Sequence, residues 1–269
     1  MSQKRQSFCP RVEALEERAL MACNVFVGPG GVLNIIGDGA ADTIRLEDDG
    51  LATVHVDATG FGSHTFTGIR SIVVDSGAGD DFVFYNLQGD LQAGVTRTFD
   101  AALREGDDRF FATLYNPNTG KYSDFQQGSL LLLGVKAHEG NDDLFFDAGG
   151  GVDMDHATMK IGFHGNDGDD RIGMSWAGLN DHGGVTFWSY GGEGNDLIRQ
   201  SMWADPASVA PSPGGLRSIA EGQAGDDVIY NYVDAPWAVS TDSSYIDGGD
   251  DKDVGMGNVK IFNCEASEG

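Results

Sequence analysis

Six times along the chain a glycine is followed by Asp or Asn, then Asp, then any residue and an apolar one. The copies read GAGDDFV (77–83), REGDDRF (104–110), HEGNDDL (138–144), NDGDDRI (166–172), GEGNDLI (192–198) and QAGDDVI (223–229). A degenerate copy, GAADTI, occupies 39–44, and a blurred one, GGDDKDVG, occupies 248–255. The shared Asp falls at 81, 108, 142, 170, 196 and 227, at intervals of 27, 34, 28, 26 and 31 residues. A period of this length marks repeats that cannot bury an apolar face alone and stack to share one core. The longer intervals carry polar, turn-rich insertions, LYNPNTGKYSDFQQG (114–128) and ADPASVAPSPGG (204–215).

Strand-like runs flank the motifs: SIVV and FVFY around the first, LLLLGVKA and LFF around the third, GVTFWSY and LIRQSMW around the fifth. The expected fold is all-β, a parallel β-solenoid of the β-helix or β-roll kind with about 26–34 residues per repeat. Stacked at strand spacing, roughly 4.8 Å per coil, six or seven coils make a rod roughly 30 Å long. Residues 24–75 depart from the repeat, because TIRLE, Asp48-Asp49-Gly50 and LATVHVD read as a β-hairpin with an Asp-Gly turn. The division that follows is an N-terminal segment at 1–23, a hairpin-containing part at 24–75, the repeats at 76–264 and a tail at 265–269.

Composition agrees with turn-dense β structure. Glycine makes up 40 of 269 residues, roughly twice ordinary usage, without a triplet period. Forty-two acids against 17 bases give a net charge of −25, which repels phosphate backbones and anionic lipid and excludes nucleic acid as a partner. Two carboxylates about 4 Å apart repel by roughly 4 kcal/mol at an effective dielectric near 20. A fold that stacks such turns therefore needs protons, bases or cations, and the bases are too few. Cys9, Cys23 and Cys264 lack metal-ligand spacing and are too few for a disulfide framework; Cys9 and Cys23 are the one pair near in sequence.

The opening MSQKRQSFCPRVEALEERALMAC is basic and then amphipathic, with Val12, Leu15 and Ala19 at helical spacing after Pro10, and it predicts a short N-terminal helix. Glu13, Glu16, Glu17 and Arg18 interrupt any apolar core of a secretory signal, and no stretch is long enough for a membrane span. The LEER-ALM core resembles the LEPR-XLL-type N-terminal segment of many large exported bacterial proteins, with glutamate for the usual proline and methionine for the last leucine. That resemblance, about a dozen residues long, implies export to the cell surface or the extracellular space.

The repeated turn itself, G-x-G-x-D-x-(apolar), resembles the RTX-type or haemolysin-type calcium-binding repeat. The resemblance implies a parallel β-roll holding Ca²⁺ between coils by aspartates and turn carbonyls, a hard-oxygen donor set suited to that ion. Carried over, Asp81, Asp108, Asp142, Asp170, Asp196 and Asp227 become side-chain ligands, and Gly79, Gly106, Gly140, Gly168, Gly194 and Gly225 the turn glycines. Asp80, Asp107, Asn141, Asp169, Asn195 and Asp226 contribute mainly backbone, and Gly77 and Gly192 supply the earlier glycine. The family's repeats run in tandem nine residues apart. Here the motif comes once per 26–34 residues, so one edge binds, and Arg104, His138, Asn166 and Gln223 replace the earlier glycine. Fewer and weaker sites than copies are expected, with affinities on the order of 10⁻⁴ to 10⁻³ M. The alternative at each motif is an Asx-type turn in which the acid bonds backbone N–H groups.

The six histidines show no metal-protease spacing, and no nucleophile elbow, phosphate loop or dinucleotide fingerprint occurs. The enzymatic alternative is a β-helix polysaccharide lyase, with Arg109 and Arg171 as the basic candidates unless they pair with acids on the next coil. A third alternative is an adhesive or matrix module presenting Trp176, Trp188 and Trp203 to glycans or proteins. The leading expectation is an exported, calcium-stabilised solenoid with a structural or surface-interaction role.

Overall fold

The computed structural model describes residues 23–208, 215–235 and 244–264, and the backbone of 266–268. The predicted helix and export segment at 1–22, Cys9 and part of the insertion at 204–215 lie outside the described residues. Among the described residues the protein is all-β and contains no helix. The chain winds between a ten-stranded and an eleven-stranded sheet whose strands are added in sequence order, coil upon coil. It is a parallel β-solenoid.

Each coil crosses from the first sheet to the second at a glycine-acid turn. Leu130–Glu139, for example, passes through the third motif into Asp143–Ala148. Alternation sets which side chains enter the core. Leu131, Leu133, Val135 and Ala137 point inward from the first strand, and Leu144, Phe146 and Ala148 from the second. Neighbouring coils pair in parallel register, Leu133 with Phe99 and Ile161, and Phe146 with Ala112 and Met174. Rings fill the space between sheets, with Phe99 against Phe110 and Phe110 edge-on to Phe163, centroids 5.6 Å apart in both pairs. Fully burying one such side chain contributes about 1.5–3 kcal/mol.

The N-terminal part departs from the parallel pattern as its sequence predicts. Thr43–Asp48 pairs antiparallel with Thr53–Ala58, which pairs antiparallel with Gly62–Thr67. The Asp49 carboxylate closes the turn by accepting the N–H groups of Leu51, Ala52 and Thr53. An ion pair lies beneath. Arg97 Nε stands 2.8 Å from Asp48 Oδ2, with the two side chains 1% and 0% exposed, and Tyr85 Oη donates to the same oxygen. Insertion 114–128 forms the short pair Tyr115–Asn116 and Lys121–Tyr122 before Phe125 rejoins the stack between Leu91 and Met154.

Candidate functional site: two opposed acid ladders

All six motifs lie along one edge of the solenoid, each joining a strand of the first sheet to one of the second. The glycine two residues before the shared Asp has φ between 113° and 137° at Gly79, Gly106, Gly140, Gly168, Gly194 and Gly225. A Cβ there would collide with the coil before: at Gly140 it would stand 1.8 Å from the Gly106 carbonyl oxygen. Only glycine meets both demands. Two residues earlier the turn is left-handed again, and Arg104, His138, Asn166 and Gln223 adopt φ of 77–86° there. Gly77 and Gly192 keep glycine at that position. The Arg104 side chain turns away from the motif and forms two hydrogen bonds to Asp75, at 2.9 and 2.7 Å.

The shared Asp points into the turn and is buried at every copy. Its Oδ1 accepts the N–H of the equivalent Asp in the preceding coil. Asp81 donates to Asp108 and Asp108 to Asp142, both at 2.7 Å. The chain continues from Asp142 to Asp170 and Asp170 to Asp196 at 2.8 Å, then Asp196 to Asp227 at 2.7 Å. The degenerate copies extend it at both ends, with Asp42 donating to Asp81 at 2.7 Å and Asp227 to Asp253 at 2.9 Å. Asp42 and Asp253 are thus site residues that the six-copy pattern omits. Their only sequence signal was the two imperfect motifs.

The preceding position forms a second ladder running the opposite way. Asn141 N–H donates back to Asp107 at 2.9 Å, Asp169 to Asn141 at 2.9 Å, Asn195 to Asp169 at 2.8 Å and Asp226 to Asn195 at 3.0 Å. Asp107 donates to Asp80 at 3.1 Å. These side chains therefore act beyond their backbone, and both acids bond N–H groups of adjacent coils rather than of their own turn. The outer ladder is exposed and alternates Asp107, Asn141, Asp169, Asn195, Asp226. The Asn141 and Asn195 amides donate to Asp107 at 3.3 Å and Asp169 at 3.2 Å, which separates like charges.

The inner ladder has no such relief. Seven carboxylates, at 42, 81, 108, 142, 170, 196 and 227, each keep one buried oxygen without a hydrogen-bond partner. Burial raises the pKa of these seven, opposed by the backbone N–H each accepts and reinforced by neighbouring carboxylates. Asp108 is pushed up to about 7, Asp170 to about 8 and Asp196 to about 7. Asp81, Asp142 and Asp227 are pushed up to about 6.

What stands beside the orphan oxygen differs from turn to turn. Five residues before the Asp, where the strand bends, the chain carries Gly165, Gly191 and Gly222 in the later coils, but Leu103 and Ala137 in the middle ones. The Cβ position at Gly191 is 2.0 Å from Asp196 Oδ2 and 2.7 Å from the Gly222 carbonyl oxygen. At Gly165 the corresponding distances are 2.0 Å to Asp170 Oδ2 and 2.6 Å to the Gly191 carbonyl, and at Gly222 2.1 Å to Asp227 Oδ2 and 2.4 Å to the Gly248 carbonyl. Bare glycine thus lets a carboxylate oxygen and a carbonyl oxygen converge at three successive motif turns, and Gly248 does so at the next, with 2.5 Å to Asp253 Oδ2 and 2.3 Å to the Asn263 carbonyl oxygen.

The other predicted groups fall out as follows. Arg109 and Arg171 both lie on the surface beside Asp143, at 3.6 and 3.8 Å, pairing with an acid on a neighbouring coil. Trp176 is a core residue, 1% exposed, because its strand position faces inward; Trp188 is half-buried and Trp203 is 45% exposed. Unforeseen in the sequence are a shorter ladder on the opposite edge, Asp124 N–H to Asp90 at 2.9 Å and Asp153 N–H to Asp124 at 3.0 Å, and the juxtaposition of His156 with His182. Compared with known proteins, the chain matches no family model, no curated protein and no solved structure.

Proposed function

We propose that this protein is an exported calcium-binding β-solenoid with a structural or surface-interaction role, its ions held along the motif edge. The observation that carries the reading is the column of buried carboxylates with one orphan oxygen each. Neighbouring charges of one sign in a desolvated column are costly, and protons or cations are the available counter-charges. The donors are all hard oxygens, which favours Ca²⁺ over a thiolate- or imidazole-seeking metal.

The residues best fitted are Asp170, Asp196 and Asp227 with the carbonyl oxygens of Gly191, Gly222 and Gly248, where the two kinds of oxygen converge. Asp108 and Asp142 have Leu103 and Ala137 at the bend and are better served by a proton, so binding concentrates in the later coils. When bound, the ion supplies charge neutralisation and cross-links successive coils. The chain's own part is to fix the carboxylates by the N–H of the coil before. If calcium binds only the folded chain, a site at ten times its dissociation constant adds roughly 1.4 kcal/mol.

The surface-interaction role draws on the outer face of the second sheet. Phe84, Phe111 and Phe145 stand in one register row, followed by Gly173, Arg199 and Tyr230. The row from Phe111 to Tyr230, with Tyr232 beside it, lines a groove of about 640 Å³. Exposed rings beside Asp147 and Ser175 suit a glycan or protein surface.

The test is thermal unfolding by circular dichroism in EDTA, in millimolar calcium and in millimolar magnesium. A calcium-specific rise in melting temperature, lost in Asp196→Asn and kept in Asp108→Asn, is expected. Identical melts in all three buffers would refute calcium binding and leave a protonated ladder.

A further inference from the structure

We propose a second metal site of a different class, for a borderline divalent ion such as Zn²⁺, built by His156, Asp181 and His182 on the edge opposite the motif turns. A nitrogen from each imidazole and an Asp181 carboxylate oxygen all lie within 4.8 Å of one another, and this is the one such group of three among the described residues. It does not depend on the calcium reading, since it uses other side chains, other donor chemistry and the return connection from the second sheet to the first.

The site is a repeat of its own. The dipeptide Asp-His occurs at 155–156 and again at 181–182, one coil apart, and Asp155 pairs with Asp181 in parallel register. Stacking therefore places the two rings face to face, centroids 4.8 Å apart and 15° from parallel. Each ring is aimed by the carboxylate before it: Nδ1 of His156 lies 2.7 Å from Asp155 Oδ1, and Nδ1 of His182 lies 2.6 Å from Asp181 Oδ1. Asp155 on Nδ1 of His156 fixes that tautomer and leaves the other nitrogen as a ligand, the usual arrangement behind metal-bound histidine, whereas Asp181 exchanges its contact with His182 for a place among the ligands.

The backbone gives a second, independent reason. Both histidines lie in the left-handed region, at φ 48° and 55°. Two residues before the paired strand positions Thr96, Leu130, Thr158 and Gly184, the same station is held by Gly94 and Gly128, at φ 72° in both, in the preceding coils. Successive coils thus use glycine twice and then histidine twice at one station that is left-handed throughout. Histidine tolerates that region at a cost glycine does not carry, so its choice in two successive coils agrees with a role for the imidazoles.

Imidazole with one carboxylate is a donor set for zinc-class ions, not for calcium. Ligand atoms around a tetrahedral zinc stand roughly 3.3 Å apart at bond lengths of about 2.0–2.1 Å. All three side chains are at least 38% exposed, so rotation about their own bonds closes the remaining gap without moving the sheet. A fourth position stays open to water or to a ligand from another molecule.

The experiment is titration calorimetry of the full chain with zinc chloride in millimolar calcium, on the wild type, His156→Gly and His182→Gly. Glycine is the right replacement because it suits the φ and reproduces the earlier coils, so the variants are expected to melt no lower than wild type in EDTA. One zinc per chain should bind the wild type, and either glycine variant should lose about 100-fold or more in affinity; Asp155→Asn, a positioning change, should lose about 10- to 100-fold. Ring-proton NMR of the unsubstituted chain gives the same answer if a variant misfolds: two histidines shift on zinc addition and the rest do not. No zinc uptake by the wild type, uptake unchanged in both variants, or shifts at other histidines would overturn the proposal.

Discussion

The N–H of Asp170 donates to the Asp196 carboxylate at 2.8 Å, so the charge of each turn is held in place by the coil before it. Removing one carboxylate therefore injures a neighbour. Asp196→Ala leaves the buried Asp170 N–H without an acceptor and should cost about 1–3 kcal/mol. Asp196→Asn keeps the acceptor and turns its NH₂ toward the Gly222 carbonyl. It should match or exceed the wild type in EDTA yet lose calcium stabilisation. Paired melts of the two variants, with and without calcium, check both halves.

The raised carboxylates fix the sign of the pH dependence. With Asp108, Asp170 and Asp196 pushed up to about 7, 8 and 7, the folded chain keeps protons that the unfolded chain, with carboxyls near 3.9, has released. The folded state binds more protons across this interval, so unfolding free energy falls as pH rises. In EDTA, the stability these groups decide should be fully present below about pH 4, be lost progressively as pH rises, and be gone once pH has passed the folded values of about 7 to 8. Urea titrations at unit pH steps measure it. Calcium should flatten the alkaline side of the slope.

Gly191→Ala probes the convergence of oxygens at the bend. The added methyl would stand 2.0 Å from Asp196 Oδ2 and 2.7 Å from the Gly222 carbonyl, which neither can yield without breaking the ladder. A loss of about 1–3 kcal/mol is expected from overpacking. Gly39→Ala meets nothing within 4 Å and should be neutral. Denaturant midpoints of the pair separate local crowding from a general cost of losing glycine.

Asn195→Asp tests the alternation of the outer ladder. It replaces an amide that donates to Asp169 at 3.2 Å with a second carboxylate. Because the ladder is exposed, the loss should stay below about 1 kcal/mol and shrink further in high salt. Melting at two sodium chloride concentrations reads both the size and the screening.

Arg97→Ala strikes the buried pair under the N-terminal hairpin. Asp48 would be left buried without its counter-charge, and a loss of about 3–5 kcal/mol is expected. Hydrogen exchange should show the amides of Thr43–Asp48 and Thr53–Ala58 opening first. Unchanged protection there would disprove the pair's role.

The repeat, its period and the alternation of apolar residues were legible in the sequence, because a stacked coil imposes the same backbone demands every time round. Glycine had to recur where φ is positive and the previous coil's carbonyl presses close, as at Gly140 against Gly106. The shared Asp had to recur because its acceptor oxygen belongs to the ladder. From this the parallel solenoid, the hairpin at 43–58 and the row of candidate turns followed directly. What the sequence left undecided lay between coils. That the inner acids are buried with an orphan oxygen while the outer ones are exposed and tempered by Asn141 and Asn195 depends on which way each side chain turns at the corner. That Asp42 and Asp253 join the column, that Trp176 faces the core, and that His156 meets His182 depend on register across coils 26 or more residues apart in the chain. Local sequence determined each turn; only stacking decided what the turns became when laid on one another, because distances between coils are set by sheet hydrogen bonds that no single repeat contains.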